Sequence, residues 1–212
     1  MKKRYLLLIG ILVAAGACAA WYCRDTTDAE REKIAAILDW KAGQNIGEIG
    51  AGEGRMTFAA ARAVGPSGHV YSNEIDSRRL AKIAAGAKQR NLTNVTVIQG
   101  GETETNLPPD CCDSVLMRDV YHHFTHPEEI DASLFRAVRP GGLLAVIDFT
   151  PNALLSIIAP VRGAPLNRGG HGIPKEILIG ELKHAGFEVV SIPNDFPGRN
   201  YCIVFRRPIS SR

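Results

Sequence analysis

The chain has 212 residues, 45% of them hydrophobic, and a formal net charge of +3. That length fits one domain with an N-terminal appendage, and the apolar share sustains a sizeable core. Three of the 25 basic residues, Lys2, Lys3 and Arg4, stand ahead of the domain and leave 22 facing 22 acidic ones, a neutral body that excludes an electrostatic nucleic-acid binder.

Lys2-Lys3-Arg4 opens onto an uncharged run from Tyr5 to Tyr22, 18 residues long. A bilayer-spanning helix takes roughly 17 to 25 apolar residues, and Trp21 and Tyr22 suit an interfacial belt. A cleaved signal peptide competes with an anchor. Its apolar core would be Tyr5 to Ala15, with Ala15-Gly16-Ala17 as the cleavage site, and Cys18 hints at a lipoprotein site. Residues 1–23 are expected to be a signal peptide or membrane anchor, and residues 24–212 the domain. Arg24, Arg31 and Lys33 balance the basic residues ahead of the run, so membrane tethering and export both stay open, as does the side of the membrane. The adjacent Cys111 and Cys112 lack C-x-x-C spacing. Buried or loop thiols are expected there, and no metal site.

Asp25 to Trp40 reads as an amphipathic helix with Ile34, Ile37, Leu38 and Trp40 near one face. A short apolar run, Gln44 to Ile49, then leads through Glu48-Ile49-Gly50-Ala51-Gly52-Glu53-Gly54 into an Ala-rich helix from Arg55 to Val64. Glycines at alternate positions let a strand turn sharply into a helix while the backbone closes on a ligand. A dinucleotide fingerprint would read G-x-G-x-x-G and hold pyrophosphate at the helix N-terminus. Here the spacing is G-x-G-x-G over Gly50 to Gly54, with carboxylates at Glu48 and Glu53. Two carboxylates repel a pyrophosphate and favour a cationic ligand, so a nicotinamide-dependent oxidoreductase is disfavoured.

After a break at Gly65-Pro66-Ser67-Gly68, His69 to Asp76 reads as a second strand. Glu74 lies 20 residues beyond Gly54, where a carboxylate can accept hydrogen bonds from ribose hydroxyls. The alternative is an ordinary exposed acid. A helix from Ser77 to Arg90 and a third strand from Val95 to Ile98 run into Gly100-Gly101-Glu102-Thr103-Glu104. Asp113 to Met117 is the fourth strand, followed by Arg118-Asp119-Val120-Tyr121-His122-His123-Phe124. A helix starts near Pro127 and ends at Arg139-Pro140-Gly141-Gly142, and Leu143 to Phe149 is the fifth strand. Thr150 to Ile173 is irregular and long enough to be functional. A helix from Pro174 to Gly186 and strands over Phe187 to Ile192 and Tyr201 to Arg206 close the chain. Strands alternating with helices imply a parallel sheet with right-handed crossovers.

The pattern E-x-G-x-G-x-G at Glu48 to Gly54 resembles motif I of the class I S-adenosylmethionine-dependent methyltransferases. The order D-x-V-L-x-x-D-V-Y-H-H-F from Asp113, then R-P-G-G-x-L-x-V-I-D-F from Arg139, resembles their later motifs. The resemblance covers roughly residues 30 to 206. It implies an α/β fold with a Rossmann-like, doubly wound, seven-stranded, mostly parallel sheet whose last strand is antiparallel, and S-adenosyl-L-methionine as cofactor. It places the cofactor on Glu48, Gly50, Ala51, Gly52, Gly54, Glu74 and Ile75, with Glu102 or Glu104 at the adenine and Asp119 beside the methionine portion. The implied activity is methyl transfer to a small molecule, as in the quinone- and small-metabolite-modifying type; the alternative is a binding protein that keeps the fold without activity.

Acceptors that must lose a proton need a base, and His122, His123, Asp148 and His171 are the candidates, near strand ends or in the long loop. In an extended segment His122 and His123 would point opposite ways. The apolar run Leu154, Leu155, Ile157 and Ile158 either packs as core or roofs the acceptor, which would then be lipophilic and near a membrane.

Overall fold

The computed structural model describes residues 28–209; the N-terminal segment expected as signal peptide or anchor lies outside them. Helix α1 (28–37) precedes β1 (Asn45–Ile49), α2 (Arg55–Val64), β2 (His69–Glu74), α3 (Ser77–Gln89), β3 (Val95–Gln99) and β4 (Cys112–Arg118). Then come α4 (Pro127–Ala137), β5 (Val138–Asp148), α5 (Ala153–Ile158), α6 (Lys175–His184), β6 (Glu188–Ser191) and β7 (Tyr201–Arg206).

The seven strands order as β3-β2-β1-β4-β5-β7-β6. Strands β1 to β5 pair in parallel, and β7 runs antiparallel to both β5 and β6. Residues on the central strands are buried on both faces, with alternate side chains serving opposite layers. Val115, Met117, Leu144, Val146, Ile203 and Phe205 join one core with Leu134 of α4 and Leu178 and Leu182 of α6. Leu116, Ala145, Ile147 and Val204 join the other with Ile34 of α1 and Met56, Ala60 and Val64 of α2. From β1 the chain winds outward to β3, then returns to the far side of β1 at β4. The crevice beyond the carboxyl ends of β1 and β4 is thus the place where an open α/β sheet binds ligand.

Four expectations are corrected. First, Arg139-Pro140-Gly141-Gly142 does not end a helix before a fresh strand. It is a bulge inside β5, whose pairing jumps from Cys112↔Val138 to Ser114↔Leu143, while Arg139 reaches Asp113 at 2.6 Å. Second, the segment after Phe149 is not wholly irregular: it contains α5 and a 3₁₀ turn, Leu166–Arg168. Its apolar run is not core either, since α5 buries no residue. Third, Cys111 and Cys112 are joined as a disulfide, and Cys202 is the buried free thiol among the described residues. Fourth, His122 and His123 sit in a 3₁₀ turn (Tyr121–His123), so their rings lie side by side, 4.1 Å between centroids.

Candidate active site

The Gly-rich turn takes the backbone its glycines allow. Gly50, Gly52 and Gly54 have φ of 69°, 58° and 78°, a region costing other residues about 1–2 kcal/mol. Gly50 is also demanded by packing, because an added Cβ would lie 2.6 Å from Val120 Cγ2. At Gly52 an added Cβ meets nothing within 4 Å and would stand in open space. The buried Ala51 donates its amide to Asn73 O at 2.9 Å, fastening the turn to β2.

Glu74, at the end of β2, is buried and faces this turn. Its Oε2 accepts from the Gly52 amide at 2.8 Å, and its Oε1 from the amides of Ile75 and Asp76 at 2.8 and 3.0 Å. Three of the roughly four lone-pair positions of the carboxylate are thereby used, and Oε2 also lies 3.7 Å from Arg79 Nη1, in the wall of a cleft.

Two clefts flank the turn and share Gly50, Arg79 and Asp119. The larger, about 500 Å³, is walled by Glu74, Ile75, Glu102, Thr105, Asp119 and His123 among others. Ile75 exposes 59% of its surface, an apolar plate on which a flat ring can lie. Glu102 is exposed beside it; Glu104 also lines the cleft but is engaged by Arg136 at 2.6 Å. The smaller, about 390 Å³, is walled by Glu30, Glu48, Gly52, Arg55, Arg118 and Asp119 among others. Of the four carboxyl side chains in the larger cleft, Glu104 is paired with Arg136, Asp119 with Arg118, and Glu74 lies 3.7 Å from Arg79, which leaves Glu102 without a cationic partner among the described residues.

The two acids bracketing the turn differ from the sequence expectation. Glu53 is exposed, with Lys82 at 4.0 Å. Glu48 is buried and hydrogen-bonded to Thr57, which bonds Ser72 Oγ at 2.7 Å in turn. Burial pushes its carboxyl up to about 8, so at neutral pH it is mainly uncharged and serves as a polar wall rather than a fixed anion. Asp119, at φ 55°, is gripped by Arg118 at 2.6 Å and Asn200 at 2.7 Å, and burial raises its carboxyl too. Arg118 also binds Glu30 of α1 at 2.6 Å. Sequence reading assigned neither residue a role. The signal available was the place of Arg118 directly before Asp119.

The four catalytic candidates converge. His122 and Asp148 are both buried, with His122 Nδ1 2.8 Å from Asp148 Oδ1. His122 Nε2 is buried and has no partner among the described residues. The His171 ring lies 5.1 Å from that of His122, and Phe149 stacks on His171 at 5.6 Å. His171 Nδ1 lies 2.7 Å from Ala159 O. A carbonyl only accepts, so Nδ1 carries the proton and Nε2 is the acceptor in the neutral ring. His123 lines the larger cleft, and its burial, with His122 and His171 nearby, lowers its pKa. Beneath this turn the buried Arg168 donates to Tyr121 O at 2.9 Å and to Glu181 Oε2 at 2.6 Å. No group of three or more His, Cys, Asp or Glu among the described residues could hold a metal ion.

The family described as "Methyltransferase domain" matches residues 41–162, more than half of the chain. The chain belongs to this methyltransferase family. It is 29% identical over 115 residues to the ubiquinone/menaquinone biosynthesis C-methyltransferase UbiE of Vibrio parahaemolyticus, covering 54% of this chain and 44% of that protein. Against the protein of the same name from Stutzerimonas stutzeri it is 27% identical over 174 residues, 72% of this chain and 68% of that one. It thus spans less than half the length of the first of these relatives. The fold is that of a crystal structure of a SAM-dependent methyltransferase from Aquifex aeolicus, with a TM-score of 0.67 at 21% identity over 84% of this chain and 89% of that one.

The cofactor that goes with this family and fold is S-adenosyl-L-methionine, and the residues present fit it. The open space at Gly52, the buried Glu74 carboxylate in the wall of the larger cleft and the apolar plate of Ile75 suit an uncharged nucleoside.

Proposed function

We propose that this chain transfers a methyl group from S-adenosylmethionine to a small lipophilic acceptor whose nucleophile must first lose a proton. The bound cofactor supplies an electrophilic methyl carbon on a sulfonium; the protein's share is orientation, exclusion of water and proton removal. In this reading Gly50, Ala51, Gly52 and Gly54 give the backbone approach, and Glu74 holds the ribose. Ile75 and Glu102 border the adenine, while Glu48 and Asp119 wall the methionine end. Arg118, tied to Glu30 and Asp119, closes that end over α1.

The observation that carries the reading is the meeting of His122, His123, His171 and Phe149, with His123 in the wall of the larger cleft. His171 Nε2 takes the acceptor's proton, and His123, neutral at pH 7, lines the approach. His122, fixed by Asp148, orients the cluster. Nitrogen and sulfur acceptors would need little of this. The relatives' names give quinone carbon methylation, and a hydroxylated aromatic ring is an acceptor of that kind. The uncharged run from Tyr5 to Tyr22 supports tethering at a membrane, where such acceptors partition.

Incubation with S-adenosyl-[methyl-³H]methionine and a panel of hydroxylated aromatic, amine and thiol acceptors tests this. Label should enter the hydroxylated aromatic ring, and His171→Gln should lose transfer while keeping cofactor affinity. Transfer to amines alone, or none with any acceptor despite cofactor binding, would contradict the reading.

A further inference from the structure

We propose that α5 is a membrane-docking surface, which seats the carboxyl edge of the sheet on an anionic bilayer. Leu154, Ile157 and Ile158 are 65%, 78% and 66% exposed, and Leu166, in the same excursion, is fully exposed. Single exposed aliphatic residues are ordinary; four within 13 residues of one excursion are not.

The excursion is held so as to present them. Asn152 Oδ1 accepts from the amides of Leu154 and Leu155 at 3.0 and 3.1 Å, capping α5. Ser156 Oγ reaches Gly169 O at 3.0 Å and accepts the His171 amide at 3.0 Å, drawing the two limbs together. Arg168, wholly buried, anchors the return limb to Glu181. The base is thus fixed while the outer face is bare.

Charge and chain path identify the occupant. From Phe149 to Ile173 there is no acidic residue, and the exposed Arg162 has no carboxylate partner among the described residues, so the surface is apolar with one basic residue beside it. Such a face suits the headgroup boundary of an anionic membrane. Glu30 of α1 meets Arg118 at the carboxyl end of β4, and α5 begins beyond the carboxyl end of the neighbouring β5. The start of α1 and α5 therefore leave the sheet from the same edge. Only five residues separate Asp28 from Tyr22, the end of the uncharged run. A bilayer met by that run would lie within reach of α5. This inference stands apart from the identity of the acceptor.

The test uses the full chain with Ile157→Trp as reporter, the unsubstituted chain as blank, and vesicles of phosphatidylcholine with phosphatidylglycerol. Difference emission should shift to the blue only when vesicles are present, brominated lipid should quench it, and Arg162→Glu should weaken both effects. Unchanged S-adenosylmethionine affinity in each variant, by calorimetry, certifies the fold. Emission already blue without vesicles would mean that another part of the chain covers α5. A shift that grows with protein concentration would mean a second copy. No shift with vesicles would leave α5 facing water. Each of these results overturns the proposal.

Discussion

His122 Nδ1 lies 2.8 Å from Asp148 Oδ1, and neither side chain reaches solvent. Asp148 also accepts from the amides of His122 and Phe149 at 3.1 and 2.8 Å, so one carboxylate fixes the histidine turn against the end of β5. Asp148→Asn turns an NH₂ toward one of these donors. Losing a charge-assisted hydrogen bond should cost about 1.5–3 kcal/mol of stability, read as a lowered denaturation midpoint. Turnover should fall with cofactor affinity unchanged. Cofactor affinity falling in step with turnover would move Asp148 to the cofactor side of the site.

Glu74 accepts from three backbone amides while bordering the larger cleft. Its replacement should therefore loosen the turn as well as remove a ribose acceptor. Glu74→Ala is expected to weaken S-adenosylmethionine binding roughly tenfold to a hundredfold, the equivalent of about 1.5–3 kcal/mol. The melting temperature should drop with it. A lowered melting temperature with affinity intact would mean that Glu74 serves the turn alone.

Much of this was legible from residue patterns. The strands from β1 to β5 are short segments bounded by turn residues, and the Gly-rich turn needs positive φ that its spacing announces. What depends on distant partners was not legible. The R-P-G-G stretch reads as a break, but pairing with β4 carries β5 across it as a bulge. Histidines adjacent in sequence read as opposed, until Asp119 at φ 55° and the following 3₁₀ turn bring their rings together. Nothing in the long segment after Phe149 marks Arg168 as buried; Glu181, 13 residues on, and the Tyr121 carbonyl make that burial tolerable. The apolar run of α5 gives no sign of which way it faces.

Burial raises the carboxyls of Glu48 to about 8 and Asp131 to about 7, against ordinary values of 4.5 and 3.8. The folded chain therefore keeps protons that the unfolded chain releases. The stability these groups contribute is complete below their ordinary values and is lost as pH rises through 7 and 8. His123, lowered by burial, acts with the opposite sign and at more acidic pH, below its ordinary value. The melting temperature should thus fall from about pH 4 to pH 8 and level off above that, and Glu48→Gln should flatten that decline. Parallel profiles for the two proteins would show that Glu48 ionises without cost.

The most direct test is titration of S-adenosylmethionine into the full chain and into Gly52→Val, followed by calorimetry. In the unliganded protein the new side chain enters open space, so the left-handed backbone costs about 1–2 kcal/mol and the fold should persist. With the cofactor lying against the turn, the branched side chain occupies its place. The parent should bind S-adenosylmethionine saturably and ignore NAD, and Gly52→Val should show no binding while its circular dichroism is retained. Equal affinity in a folded Gly52→Val would contradict a cofactor site at this turn.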